Sequence, residues 1–125
     1  MRSGQGWRRS AACVAMIALL TSCASVPPTP VTSIEPLVGK WSGTVDTGRG
    51  PLQFFYLTIN PDQTLVATWG LNWAWGTVTL ANGRASYRMN PPPLEGSIVY
   101  FRSDGRESLT LNDLFANFYA TVTRQ

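Results

Sequence analysis

Acidic side chains are the main candidates for general acid–base chemistry in this chain. The sequence contains no histidine, so Ser/His/Asp and Cys/His catalytic constellations cannot form and the common zinc ligand sets are incomplete. A pair of carboxylates could in principle serve a hydrolase. The carboxylates are instead scattered through predicted turns and linkers, at Glu35, Asp46, Asp62, Glu95, Asp104, Glu107 and Asp113. We therefore expect solvated turn residues, no enzyme activity, no metal and no other cofactor.

Three tryptophans in the segment TWGLNWAWG are candidates for binding: Trp69, Trp73 and Trp75. If this segment is a strand, Trp73 and Trp75 share a face, because successive side chains alternate. That face could point into a hydrophobic core. Alternatively, it could lie at the rim or on the outer wall of the domain, where indole rings stack on sugars or contact a protein.

The N-terminal segment has the three zones of a secretory signal. The basic stretch MRSGQGWRRS precedes the uncharged stretch AACVAMIALL, and Thr21 and Ser22 then lead to Cys23. The uncharged stretch is about ten residues long, whereas a helix that crosses a bilayer needs roughly 20. Residues 1–22 are therefore predicted to be a cleaved signal and not a resident membrane helix.

The residues Leu20, Thr21, Ser22 and Cys23 resemble the lipobox of bacterial lipoproteins. In that family the signal is removed before the cysteine, which is acylated and becomes the new N-terminus. The resemblance implies that the mature chain is held to a membrane through a lipid on Cys23. It also implies that Cys13 is lost with the signal, so no disulfide forms within the mature chain. The alternative is that Cys23 occurs by chance in an ordinary signal peptide.

The residue after the cysteine bears on the cellular location. In lipoproteins of Gram-negative bacteria, an Asp at this position commonly retains the protein in the inner membrane. The chain has Ala24 instead, so the resemblance implies the outer membrane, with the domain facing the periplasm.

The net charge of the mature chain argues against nucleic acid as a partner. Loss of Arg2, Arg8 and Arg9 with the signal leaves seven of the ten basic residues, against seven acidic ones. A neutral chain without a clustered basic patch is not expected to bind nucleic acid.

A proline-rich stretch separates Cys23 from the domain. Residues 23–36 include SVPPTPVTSIEP, with four prolines and almost no apolar periodicity. Proline favours an extended polyproline conformation of about 3.1 Å per residue. We expect a spacer outside the fold, which holds the domain at 37–125 some tens of ångströms from the membrane.

Residues 37–125 read as an all-β domain. Turn signals rich in Gly, Asn, Asp and Pro alternate with short runs rich in Val, Thr and aromatic residues. The predicted strands are 38–46, 52–59, 64–69, 73–80, 84–89, 95–102, 107–111 and 116–124. Tight connections predict an antiparallel up-and-down meander, and closure into an eight-stranded barrel would remove its exposed edges. A two-sheet sandwich is the alternative.

Period-two alternation assigns faces to several of these strands. In RASYRM, Ala85, Tyr87 and Met89 share the apolar face. The run LQFFYLTI is apolar on both faces, so one of them must cover something other than the core. Eight strands enclose a space that side chains just fill or that holds one small ligand. The many large inward candidates favour a mostly filled barrel.

The segment VGKWSG resembles the Gly-x-Trp signature of lipocalins and related calycin barrels. In that family the tryptophan closes one end of the barrel and packs against an arginine from the last strand. The resemblance implies these structural roles for Gly39, Trp41 and Arg124.

Two functions are consistent with these sequence features. One is a non-catalytic, lipocalin-like binding module in the cell envelope, with a small apolar or glycan ligand near Trp73 and Trp75. The other is a protein-interaction module, for example an inhibitor of an envelope protease or lysozyme that presents the loops DTGRGP or NPPPLEG.

Overall fold

A closed antiparallel barrel of eight strands makes up the domain, in a computed structural model that describes residues 26–125. A 3₁₀ helix at Glu35–Leu37 precedes the strands β1 (Gly39–Asp46), β2 (Gln53–Ile59), β3 (Thr64–Trp69), β4 (Asn72–Ala81), β5 (Arg84–Asn90), β6 (Leu94–Ser103), β7 (Arg106–Asp113) and β8 (Tyr119–Arg124). The all-β class and the eight-stranded barrel are thereby confirmed. The predicted signal (1–22), its lipobox and Cys23 lie outside the described residues. Within 26–125, no helix is long and apolar enough to cross a membrane.

Each strand pairs with the next one, and β1 also pairs with β8, which closes the sheet. Two of the turns explain why consecutive strands pair as hairpins. At Asn82–Gly83 and Asp104–Gly105 all four residues have positive φ, between 52° and 75°. Positive φ at both central positions defines the hairpin turn whose twist matches that of the flanking strands. The Asn-Gly and Asp-Gly pairs therefore fix two of the hairpins.

The connections gather at two ends of the barrel. Residues 60–63, 82–83 and 104–105 join strands at one end, where the chain also enters β1; we call this the closed end. Residues 47–52, 70–71, 91–93 and 114–118 join strands at the other end, which we call the loop end.

Large side chains occupy the interior. Phe55, Trp69 and Phe118 pack together near the loop end, with ring centroids 5.4 to 5.8 Å apart. The wider core is hydrophobic and includes Trp41, Leu57, Ile59, Leu65, Tyr87, Met89, Tyr100, Leu109 and Leu111. The interior of the barrel is therefore filled by side chains. This agrees with the expectation from eight strands and many large inward residues.

Part of the expected spacer belongs to the fold. The Thr29 N–H donates to the carbonyl of Tyr100 at 2.7 Å, and the Arg102 N–H donates to the Thr29 hydroxyl at 3.2 Å. Val31 is buried, and its N–H donates to the carbonyl of Gly83. The pairing of β5 with β6 ends at Ala85 and Ile98, so the rest of β6 has a free edge to which this segment bonds.

These contacts shorten the predicted spacer. Thr29 and Val31 are bonded to the barrel, so of the spacer predicted at residues 23–36 only the part before Thr29 is left. Six residue steps span at most about 22 Å at roughly 3.6 Å per step. The predicted spacer therefore ends before Thr29, because Thr29 and Val31 bond to strand and turn backbone, and the distance of the domain from a membrane stays a prediction.

Candidate functional site

The three candidate tryptophans fall on opposite faces of the sheet. Trp69 points into the barrel and is 3% exposed, in contact with Phe55 and Phe118. Trp73 and Trp75 point outward and are 55% and 52% exposed. Ala74, between them, is the residue that faces the interior. The pair could have lain in the core or on the outer surface, and the structure shows it on the outer wall. Trp69 is not part of this surface, because it lies in the core.

Trp73 and Trp75 contact each other on the outer wall. Their ring centroids lie 4.6 Å apart and the ring planes are tilted by 41°. This separation is within the range in which aromatic rings attract each other. The pair therefore presents one continuous indole surface, with about half of each side chain still accessible to a ligand.

The strand register places these indoles opposite a second aromatic wall. Tyr56 on β2, Thr68 on β3 and Trp73 on β4 lie directly across from one another. In the next row of outward-facing residues along the strands, Val66 of β3 lies opposite Trp75. Tyr56 is half exposed, whereas Val66 and Thr68 are shorter and partly buried. We call this arrangement the outer aromatic groove, with walls formed by Tyr56, Trp73 and Trp75 and a floor formed by Val66 and Thr68.

Further apolar side chains extend the groove toward the loop end. Leu52, Phe54 and Leu71 are all strongly exposed on β2 or on adjacent turns. An aromatic side chain has about 150–250 Å² of surface, so this side of the barrel exposes on the order of several hundred Å² of apolar area. The largest apolar patch on a typical monomer is roughly 300–600 Å² and often functional.

The groove itself carries no formal charge. Lys40 lies at the end of one row, opposite Thr58, and Arg88 lies beyond the groove, opposite Thr77. Arg88 forms an ion pair with Glu95 at 3.0 Å. The outward polar groups nearest to the aromatic rings are neutral: the amide of Asn90, which lies opposite Trp75, and the hydroxyls of Ser42, Tyr56, Thr58, Thr68 and Thr77. The groove therefore offers aromatic faces, neutral hydroxyls and one amide.

A concave surface lies at the loop end. This depression has a cavity volume of about 720 Å³ and is bordered by the loop containing Arg49, by Pro92 and Pro93, and by the exposed ring of Phe115. Trp69 and Phe118 line its inner side. Both rings pack against Phe55. These side chains therefore separate the depression from the interior of the barrel.

The residues that the lipocalin resemblance assigns to barrel closure meet at the closed end. The Arg124 guanidinium lies 4.2 Å from the centre of the Trp41 ring, and Trp41 is fully buried. Gly39 has φ +133°, and a side chain there would approach the guanidinium to 2.7 Å. The indole N–H of Trp41 donates to the carbonyl of Leu37 at 2.9 Å.

Glu107 completes this arrangement. Its two carboxylate oxygens accept hydrogen bonds from Arg124, both at 3.0 Å, and one also accepts from the Tyr100 hydroxyl. The bonds from Arg124, and then that from Tyr100, lower the pKa of Glu107. Desolvation and the hydrogen bond to Glu107 raise the pKa of Tyr100. These groups stabilise the closed end, and their donors and acceptors are used within the fold.

Tyr56, Val66 and Thr68 were not among the sequence candidates. The apolar outer face of LQFFYLTI was the available signal for Tyr56, since that run needed a second surface to cover. Val66 and Thr68 give no signal of their own, because their role depends on the register of β3 between two aromatic strands. No family model, no curated protein and no solved structure matches this chain.

Proposed function

We propose that this chain is a non-catalytic lipoprotein of the bacterial cell envelope whose barrel is a binding module. It is anchored in the outer membrane through Cys23 and faces the periplasm. Its ligand, an apolar molecule or a glycan, binds in the outer aromatic groove. The observation that carries this proposal is the exposed Trp73–Trp75 pair on the outer wall of a barrel whose interior is occupied by side chains.

The packed interior supports an external binding surface. Phe55, Trp69 and Phe118 occupy the space behind the loop end, and Trp41 occupies the space behind the closed end. A ligand carried inside the barrel would have to displace these rings. A ligand in the groove contacts aromatic surface that is already exposed, so it requires no such rearrangement.

The path of the N-terminal segment supports a groove that faces away from the membrane. Val26 borders a surface depression with Phe101, Ser108 and Thr123, which belong to β6, β7 and β8. The groove lies on β2, β3 and β4, across the barrel. Thr29 is bound to β6 and lies at most about 22 Å from Cys23. A lipid on Cys23 would therefore hold the β6–β8 side of the barrel nearest to the bilayer.

The test is retention of ligand by the full chain, purified in mild detergent. Wild type and the double variant Trp73→Ala/Trp75→Ala are exposed to solubilised envelope, and the bound material is identified by native mass spectrometry. We expect the double variant to lose the bound species while its free energy of unfolding changes by about 1 kcal/mol or less, as for surface substitutions. Phe115→Ala, which removes a still more exposed ring outside the groove, is the matched control. A double variant that retains the same species as wild type contradicts the proposal.

A protein-interaction module is the second candidate function. The loops DTGRGP and NPPPLEG, far apart in sequence, border the same depression at the loop end, together with Phe115. This arrangement is compatible with insertion into the cleft of an envelope protease or lysozyme. Here Arg49→Ala and Phe115→Ala should abolish inhibition or capture, and the double tryptophan variant should leave it unchanged.

A further inference from the structure

We infer that the occupant of the outer aromatic groove is a neutral glycan strand that lies along β3. This inference rests on the proposed function and narrows its ligand to one chemical class. Three features of the groove carry it: its width, the pairing of its strands and the polarity of its side chains.

The spacing of the two walls favours a ligand narrower than a helix. Its walls stand on β2 and β4, which are two strand spacings apart, or about 9.5 Å between backbones. The rings of Tyr56 and Trp73 take up part of that distance. An α-helix with its side chains is about 10–12 Å across. A single chain of sugar rings is narrow enough to lie between the walls.

The closed sheet excludes strand addition. A peptide that adds to a sheet needs a strand with an unpaired edge. Both edges of β3 are occupied, one by β2 and the other by β4. A ligand along β3 must therefore be recognised by side chains alone.

The polarity of the groove matches a carbohydrate. The apolar faces of sugar rings pack on exposed aromatic rings, here Tyr56, Trp73 and Trp75. Hydroxyl groups both donate and accept hydrogen bonds, so the hydroxyls of Thr68 and Tyr56 complement sugar hydroxyls in either role. The absence of formal charge within the groove favours a neutral glycan over an anionic one.

The probes are chitohexaose, cellohexaose, maltohexaose and insoluble chitin, all of them neutral. The full chain in mild detergent is titrated with each oligosaccharide by calorimetry and co-sedimented with the chitin. We expect at least one probe to bind wild type, and binding to weaken at least tenfold in Trp73→Ala/Trp75→Ala. Phe115→Ala should bind as wild type does.

A second variant tests the location of the ligand without removing an indole. Thr68→Arg places a long charged side chain on the floor between the two walls and leaves Trp73 and Trp75 in place. We expect it to weaken glycan binding at least tenfold at an unchanged melting temperature. Undiminished binding by this variant overturns the placement along β3.

Failure of this inference is distinguishable from failure of the proposed function. Suppose that wild type binds none of the four probes but binds an envelope protein or a proline-rich peptide, and that Trp73→Ala/Trp75→Ala does not bind it. The assignment of a glycan ligand is then wrong, and the groove remains the binding surface. If the double variant keeps every ligand of wild type, both are wrong.

Discussion

The guanidinium of Arg124 on β8 lies 4.2 Å from the centre of the Trp41 ring on β1 and joins the last strand of the barrel to the first. The same guanidinium donates to the carbonyls of Pro36 and Val38, so it also holds the 3₁₀ helix that covers the closed end. Trp41 is fully buried beneath it. Replacement of Trp41 by Ala should therefore lower the free energy of unfolding by about 3–5 kcal/mol, the range for truncation of a buried tryptophan. Chemical denaturation measures this change, and a loss below about 1 kcal/mol would show that the closed end does not depend on the ring.

Glu107 should make the stability of the closed end depend on pH. Hydrogen bonds from Arg124 and Tyr100 lower its pKa in the folded chain below the ordinary value of 4.5. A group whose folded pKa is lowered stabilises the fold above its unfolded pKa and loses that contribution as the pH falls through the folded value. The difference in unfolding free energy between wild type and Glu107→Gln should thus be largest above pH 4.5 and shrink below it. A difference that stays constant down to strongly acidic pH would exclude this role for the carboxylate.

Val31 tests whether the expected spacer is part of the fold. Its side chain is buried, so Val31→Ala should cost about 1.5–3 kcal/mol from lost burial and the resulting cavity. Val26→Ala is the matched control, because Val26 is mostly exposed and a surface change should stay within about 0.5 kcal/mol. Equal denaturation midpoints for the two variants would show that residues 29–31 do not pack on the barrel in solution.

Lipid attachment at Cys23 is tested by metabolic labelling. Cells that express the wild-type chain should incorporate labelled palmitate into it, and cells that express Cys23→Ser should yield unlabelled precursor or soluble protein. Cys13→Ser provides the control, since that residue lies in the predicted signal. Wild-type levels of label in Cys23→Ser would refute the lipoprotein assignment.

The fold was predictable because its turns are encoded locally. Asn82–Gly83 and Asp104–Gly105 mark hairpins on their own, and the strand limits follow from them within a few residues. The start of β8 is the largest difference. It was predicted at residue 116 and lies at Tyr119, because the Asp113 carboxylate accepts the N–H groups of Phe115 and Ala116 and holds them in a turn.

The side of the sheet on which Trp73 and Trp75 lie could not be read from their spacing. Alternation shows only that they share a face. The inward positions of β4 nearest to the pair are the small residues Ala74 and Gly76, next to the large side chains of Trp69 and Met89 on the neighbouring strands. A side chain on Gly76 would come within 2.7 Å of Met89. The space inside β4 is thus filled by its neighbours, and this depends on a register that the sequence does not display.

The attachment of the N-terminal segment was hidden for a similar reason. Its prolines indicate an extended chain, and an extended chain leaves its backbone groups free to bond. The backbone of Thr29 bonds to β6, because β6 extends beyond its pairing with β5 and leaves an edge free there. The relative lengths of two distant strands therefore decide whether the segment is a spacer or part of the domain.

Protection of Trp73 and Trp75 in intact cell envelopes tests the central claim most directly. Hydroxyl-radical labelling oxidises exposed indoles, and peptide mass spectrometry reports each site separately. In the purified chain both tryptophans should be oxidised readily, since each is about half exposed. In intact envelopes we predict that their oxidation falls at least threefold while that of Phe115, which is 86% exposed, is unchanged. Equal oxidation of Trp73 and Trp75 in the two preparations would contradict the groove as the binding surface.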